Sequence, residues 1–218
     1  MGVTKTDFVR GLQCEKMLWL DAHKPELKII PPEVQERLVQ GNEFGDRAMG
    51  MFGEFVEVTT RREDGRLDFG AMLEKTRSAL SEGVNVICEG SFSWYGNFCA
   101  ADILRKTDGG YELYEVKNTL EVRNEFLVDL AFQGFLLRKC GVKIVGKFLV
   151  LNDGVDGFKV VDVSAEVRPY ERVVDQKIFP LARLKKQPNE PCIGVGEHCS
   201  KPYGCWYWAY CHEGQTND

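Results

Sequence analysis

The sequence predicts a mixed α/β fold in which helices flank a central mixed sheet, with a cysteine-rich element at the C-terminal end. Helix-like segments come first, a run of three strands follows, and a helix, two strands and a last helix close the core. The chain has eight cysteines, and they are unevenly spread along its 218 residues. We therefore divide it into a core, residues 1–187, and a cysteine-rich tail, residues 188–218.

The composition narrows the class of protein. An apolar fraction of 44% is ordinary for a globular domain, while the net charge of −5 excludes a uniformly basic nucleic-acid binder. No apolar run approaches the ~20 residues of a membrane span, and the first residues lack the apolar region of a signal peptide. We expect a soluble, cytoplasmic protein without a membrane partner.

Local patterns predict the helices and strands in order. They are a helix that begins at Thr4 or Thr6 and contains Cys14, a helix over 32–52, a short strand over 55–59, a helix over 68–82, strands over 84–94, 98–106 and 111–118, a helix over 124–140, strands over 143–152 and 158–163, and a helix over 165–186.

Capping residues and periodicity justify these bounds. Pro32 is suited to the first position of the second helix, and Asp68 and Gly83 are suited to cap and end the third. The helix over 124–140 is apolar on nearly every side, so it is predicted to be buried. Gln133 falls within its apolar stripe. A buried amide needs partners, which either the sheet backbone or an active site would provide.

The stretch from Asp102 to Lys117 is predicted to be a β-hairpin. Two alternating runs flank Asp108-Gly109, a dipeptide typical of a two-residue type I′ turn. With that turn, Asp102 faces Glu115, and period-two alternation places Glu115 and Lys117 on one face. If the turn lies one residue later, Asp102 instead faces Lys117 in an ordinary surface ion pair.

Two opposed carboxylates destabilise a sheet unless positive charge lies between them. A divalent cation bound by Asp102 and Glu115 would supply that charge, with Lys117 contacting a phosphate or a water. Glu89 lies within an apolar predicted strand, which favours a paired charge or one near a metal.

The tail is rich in Gly, Pro and aromatic residues, so something must order it. Its cysteines are Cys192, Cys199, Cys205 and Cys211, whereas Cys14 stands alone near the start. Thiolates bind zinc or a [4Fe–4S] cluster. The spacing of the last three cysteines is unlike the Cys-x-x-Cys of structural zinc sites, which favours the cluster. We expect Cys88, Cys99 and Cys140 to be small buried apolar residues.

The pattern Asp…Glu-x-Lys at the ends of adjacent strands resembles the signature of the PD-(D/E)xK nuclease superfamily. Together with Cys14 in the segment 12–20 and the Cys-x5-Cys ending, it makes the chain resemble the iron–sulfur RecB-like nucleases. That group includes the CRISPR-associated adaptation exonuclease family. The resemblance covers nearly the whole chain and implies a restriction-endonuclease-like core in residues 1–187.

The resemblance also implies ligands and roles. The cluster ligands would be Cys14, Cys199, Cys205 and Cys211, with Cys192 a weaker candidate. Mg²⁺ or Mn²⁺ would be held by Asp102, Glu115 and the Val116 carbonyl, with Lys117 and Gln133 completing the catalytic set. Glu89 is added to the metal ligands because of its apolar surroundings. The expected activity is exonucleolytic hydrolysis of single-stranded DNA. The expected protein partner acts in CRISPR adaptation or DNA repair.

The chain departs from the family at the second helix. Relatives usually carry a metal-binding His four residues after a Gly, and counting from Gly41 leads to Gly45. Glu89, Glu43 or Asp46 could substitute for the missing ligand. The alternative function is a catalytically weakened, cluster-bearing module for DNA binding or complex assembly.

Overall fold

The computed structural model describes residues 2–213 and has a mixed sheet flanked by helices, as predicted. Its helices are α1 (Lys5–Gln13), α2 (Glu15–His23), α3 (Pro32–Met49), α4 (Phe69–Glu82), α5 (Asn124–Lys139), α6 (Ser164–Leu184) and α7 (Trp208–Glu213). Its strands are β1 (Val56–Glu57), β2 (Val86–Trp94), β3 (Asn97–Thr107), β4 (Gly110–Lys117), β5 (Ile144–Asn152) and β6 (Phe158–Asp162).

The sheet has six strands, and their spatial order follows the chain from β1 to β6. The β1–β2 and β4–β5 pairs are parallel, and the other pairs are antiparallel. Helix α5 makes the crossover from β4 to β5 that parallel strands require. This crossover packs α5 against the sheet beside the β3–β4 hairpin.

The two faces of the sheet bury different helices. The larger core contains residues of α1, α4, α5 and α6, and the stretch Phe126–Leu137 of α5 is buried throughout, as its apolar pattern predicted. On the other face, Ala48 and Met49 of α3 pack against Ile103 and Tyr114. Helix α3 therefore lies across the sheet from α5, and the hairpin lies between them.

The predicted first helix is wrong at Cys14. Thr4 caps α1 through a reciprocal hydrogen-bond pair with Asp7, but α1 ends at Gln13 and Cys14 is extended between α1 and α2. The Gln13 amide donates to two tail carbonyls, those of His198 and Tyr203, at 2.8 and 2.7 Å. The break lies where α1 contacts the tail.

Smaller corrections concern the ends of elements. Helix α3 ends at Met49 and continues as a 3₁₀ turn, and the strand predicted over 55–59 is reduced to the two residues of β1. Cys88 and Cys99 are buried as expected, but Cys140 is exposed because it caps the C-terminal end of α5, beyond the buried turns.

The tail packs on the N-terminal helices. Tyr207 is buried against Trp19 and Leu20 of α2, and its hydroxyl donates to Asp21 at 2.8 Å. Trp19 in turn donates to the Gln187 carbonyl at 2.8 Å. Across residues 2–213, none of the helices combines the length and apolarity needed to cross a membrane.

Candidate active site

The hairpin register is the one that places Asp102 opposite Glu115. Thr107 pairs with Gly110, which confirms that Asp108 and Gly109 form the turn, and the ladder runs to the pair formed by Ile103 and Tyr114. The predicted turn type is wrong, because neither Asp108 nor Gly109 has the positive φ that a type I′ turn requires. Beyond that pair, the Asp102 carboxylate accepts a hydrogen bond from the Val116 N–H at 2.7 Å. A side chain of β3 therefore takes the place of a ladder bond at the point where the acidic residues meet.

Glu115 is the buried centre of the site, and its side chain is 1% exposed. Lys5 donates to both carboxylate oxygens at 2.8 and 3.0 Å, and the Lys117 ammonium lies 2.7 Å from one of them. Gln133 of α5 donates to the other oxygen at 2.5 Å. Although burial alone would raise the pKa of Glu115, Lys117 and Lys5 lower it to about 2.

Lys117 is held between two carboxylates. Its ammonium lies 2.8 Å from Asp129 of α5 as well as beside Glu115. Burial opposes the charged form of Lys117, but Asp129 and then Glu115 raise its pKa well above the ordinary value. The ammonium is therefore protonated, with its position fixed by groups on α5 and β4.

Lys5 is a site residue that the sequence analysis did not identify. Its ammonium lies 3.5 Å from Asp102 in addition to its contacts with Glu115, so it supplies the positive charge expected between the two carboxylates. Lys5 and Glu115 are 110 positions apart. The capping threonine before Lys5 indicated only a helix start, and no local pattern linked that start to the hairpin.

Two further carboxylates near Lys5 have perturbed pKa values. Burial, and then the charge of Glu115, raises the pKa of Asp102 to about 6. Burial, and then the charge of Asp102, raises the pKa of Glu89 to about 7. Strongly perturbed carboxylates beside a cavity are typical of functional sites.

Glu89 interrupts β2 with a left-handed backbone. Its φ is +57°, in a region that costs a non-glycine residue about 1 kcal/mol or more. Its neighbours Cys88 and Gly90 pair with Ile103 and Ala101, so Glu89 lies level with Asp102 across the sheet. The Thr76 hydroxyl of α4 accepts the nearby Ser91 N–H at 2.8 Å.

These groups surround a cavity of about 370 Å³ between α3 and the sheet. The sequence-predicted residues that line it are Glu89, Asp102, Glu115, Val116, Lys117 and Asp46, and Lys5 joins them. Glu43 is exposed on α3 and is not part of the lining. Gly41 and Gly45 form part of the α3 wall, and a Cβ at either position would meet open space.

Gln133 lies behind this cavity and contacts it through Glu115. The Gln133 side chain is fully buried, and its Nε2 also lies 3.3 Å from the Asp129 carbonyl. Its Oε1 is buried without a hydrogen-bond partner.

The ligand atoms that line the cavity are oxygens, the type that a hard divalent cation prefers. Carboxylates and backbone carbonyls are the ligands of Mg²⁺ and Mn²⁺, and Asp102, Glu115 and Glu89 supply them around one cavity. Within residues 2–213, no three His, Cys, Asp or Glu side chains converge closely enough to hold a metal in their present positions. At the hairpin, the Lys5 ammonium occupies the space between the acids.

A second constellation consists of the four cysteines predicted to bind a cluster. Cys14, Cys205 and Cys211 pack around the α2–tail contact, and Cys199 is buried nearby with its carbonyl accepting the Cys205 N–H at 2.8 Å. Burial raises the pKa of Cys205 to about 11, and the other three thiols add to the shift. The four thiols are therefore within electrostatic reach of one another, and all are free.

Comparison with known proteins gives little similarity in sequence. No protein-family model and no curated protein matches the chain. One similar solved structure, titled "Crystal structure of SSO0001", is 14% identical, and the alignment covers 82% of this chain and 75% of that chain with a TM-score of 0.41.

Proposed function

We propose that the protein is a metal-dependent DNA nuclease with a PD-(D/E)xK core. The observation that carries the proposal is that Asp102, Glu115 and Lys117 line one cavity in the order and hairpin register of the Asp…Glu-x-Lys signature. The perturbed carboxylates at this cavity also support a reactive site rather than a surface ion pair.

Asp102 and Glu115, with Glu89 and the Val116 carbonyl, would hold the cation. When bound, Mg²⁺ or Mn²⁺ supplies Lewis-acid polarisation of a phosphodiester and lowers the pKa of water. Lys117 donates to the attacking water or to a phosphate oxygen as negative charge develops there. Because its pKa is raised, Lys117 acts as a donor and an electrostatic stabiliser rather than as a proton acceptor.

Gln133 keeps Glu115 in position. It reaches the carboxylate from a buried helix, and its own amide is held by the Asp129 carbonyl one turn earlier. Asp129 fixes Lys117 from the same helix. Helix α5 therefore positions both the acidic and the basic group of the hairpin.

The side of the cavity that α3 forms is open enough to admit a polymer substrate. Gly41 and Gly45 leave the helix backbone bare toward the cavity, so a sugar–phosphate chain can approach closely. Arg37 on the same helix adds positive charge at the cavity lining. Preference for single-stranded DNA and digestion from an end follow from the family that the sequence resembles, as does a partner in CRISPR adaptation or DNA repair.

The cysteine constellation is proposed to hold a structural [4Fe–4S] cluster. Four free thiols from the α1–α2 junction and the tail are the donor set that such a cluster uses. Since the thiols do not yet converge as a metal site, cluster binding would draw the tail and the junction together. Zinc held by the same thiols is the alternative cofactor.

A nuclease assay tests the proposal. Labelled single-stranded DNA is incubated with Mn²⁺ and either wild type, Asp102→Ala or Lys117→Ala. We expect wild type to cut and each variant to lose about a hundredfold or more of the rate, because Asp102→Ala removes a proposed cation ligand and Lys117→Ala removes the proposed donor to the reacting phosphate. Asp108→Ala, at the exposed turn of the same hairpin, is the matched control and should cut like wild type. Equal cutting by all four proteins would mean contamination and would end the nuclease proposal.

A second candidate is the catalytically weakened DNA-binding or assembly module. Two observations favour it: Lys5 already contacts both members of the acidic pair, and Gly45 brings no ligand to the cavity. If the protein is such a module, wild type will bind single-stranded DNA in a gel-shift experiment and will not cut it in Mn²⁺.

A further inference from the structure

The Lys5 ammonium lies between the two hairpin acids that are proposed to hold a cation. It lies within 3.0 Å of both Glu115 oxygens and 3.5 Å from Asp102. Its side chain is 22% exposed and lines the same cavity as the two acids. One positive charge thus contacts the two carboxylates that are proposed to hold the cation.

The backbone at Lys5 is fixed by contacts outside the site. The preceding residue, Thr4, forms a β-bridge to Phe98 at the start of β3, and the Val3 N–H donates to the Asn97 side chain at 2.9 Å. On the same helix turn as Lys5, Asp7 pairs with Lys185 of α6 at 2.7 Å. The ammonium is therefore presented to the acids by an anchored helix start.

We propose that Lys5 is a positioning residue that competes with the divalent cation for Asp102 and Glu115 and so sets the affinity of the site for it. This inference rests on the proposed nuclease function. In the metal-free protein, the Lys5 ammonium lies between the buried Glu115 and the partly exposed Asp102 and contacts both carboxylates. A cation can bind only when the ammonium leaves Glu115, and the adjoining cavity gives the flexible lysine side chain room to move.

Electrostatics gives the direction of the effect. An ammonium beside Glu115 and Asp102 repels a divalent cation that approaches the same carboxylates, even with partial screening by water. Replacing Lys5 by a neutral residue should therefore tighten cation binding by about tenfold or more. The same replacement should destabilise the metal-free protein, because it leaves the buried Glu115 with fewer donors.

The test is a titration of the purified protein with Mn²⁺, in which electron paramagnetic resonance measures the free ion. Lys5→Met and Lys5→Gln should each bind Mn²⁺ about tenfold or more tightly than wild type, and Lys5→Arg should not. Lys5→Gln keeps a donor near Glu115, so it covers the case in which Lys5→Met fails to fold. Lys185→Met is the matched control, because it removes an ion pair of the same helix turn away from the site.

A thermal-unfolding experiment provides a second readout. Without Mn²⁺, Lys5→Gln should melt below wild type, and added Mn²⁺ should raise its melting temperature more than that of wild type. Equal or weaker Mn²⁺ affinity in both neutral variants would overturn the role of Lys5 and leave the nuclease proposal standing. A lack of Mn²⁺ binding in every protein, wild type included, would overturn both.

Discussion

At the scale of single residues, Glu115 is the group on which the site depends. Its carboxylate is buried, yet donors from α1, β4 and α5 keep it ionised. A buried charge without such partners would be strongly destabilising. The site therefore depends on Lys5, Lys117 and Gln133, which contact the carboxylate, as much as on Glu115 itself.

Gln133→Leu tests this dependence. The change removes a buried donor from Glu115 while keeping a similar volume, so we expect the free energy of unfolding to fall by about 2 kcal/mol. Urea denaturation measures it. Gln40→Leu, on an exposed position of α3, is the matched control and should change stability by less than about 0.5 kcal/mol. A similar loss in both variants would show that the amide has no special role at the site.

The sequence predicted the part of the site that depends on local geometry. A two-residue turn and period-two alternation were sufficient to bring Asp102, Glu115 and Lys117 together, because both rules act within one hairpin. Lys5 could not be predicted in this way, since it reaches Glu115 from the start of the chain. Asp129 was missed because it lies in a helix that is otherwise apolar, where its pairing with Lys117 depends on the β4–α5 packing.

At the scale of elements, α3 carries two glycines where a helix would favour other residues. Each costs about 1 kcal/mol relative to alanine, and neither has a neighbour that a Cβ would strike. The glycines leave the α3 backbone open toward the cavity. They therefore lower the stability of the helix and widen the cavity beside it.

Gly41→Ala and Gly45→Ala separate these two roles. Each should raise the free energy of unfolding by about 0.5–1 kcal/mol while slowing cleavage of single-stranded DNA, because the added methyl group narrows the cavity. Urea denaturation and the nuclease assay measure the two effects. Gly50→Ala, at the end of α3 and with open space around it, should leave cleavage unchanged. Unchanged cleavage in both cavity variants would mean that the substrate does not pass along α3.

Element boundaries show where sequence rules fail. The cap at Asp68 and the stop at Gly83 are confirmed, because both depend on residues next to the helix end. The break at Cys14 has no Pro or Gly to signal it, and α1 meets the tail there through Gln13. The left-handed Glu89 likewise lies in a segment whose β-rich pattern predicted a regular strand.

At the scale of the whole molecule, the first two helices and the described part of the tail form one unit. The tail contacts α2 through Tyr207, and ion pairs join Lys16 and Lys24 to Glu190. The four proposed cluster ligands lie within this unit. Its stability is therefore expected to depend on what the thiols bind.

Anaerobic purification tests the cofactor. We expect brown protein with absorbance near ~400 nm, as Cys-ligated iron–sulfur centres show, and loss of that colour in Cys14→Ser and Cys205→Ser. Cys140→Ser, which changes an exposed thiol outside the unit, is the control and should stay brown. Limited proteolysis should cut the tail faster in the colourless variants, since the proposed cluster joins it to α1 and α2. A colourless wild-type protein that contains zinc would show that the thiols bind zinc and not an iron–sulfur cluster.

The contact between α2 and the tail also constrains when the protein can mature. Asp21 and Tyr207 are 186 positions apart, and Trp19 and Leu20 are covered by that tyrosine. During synthesis, α2 leaves the ribosome long before its covering residues have been translated. Binding of the proposed cluster at Cys14 would therefore have to follow translation of the tail cysteines, and until then the side of α2 that Tyr207 covers stays exposed.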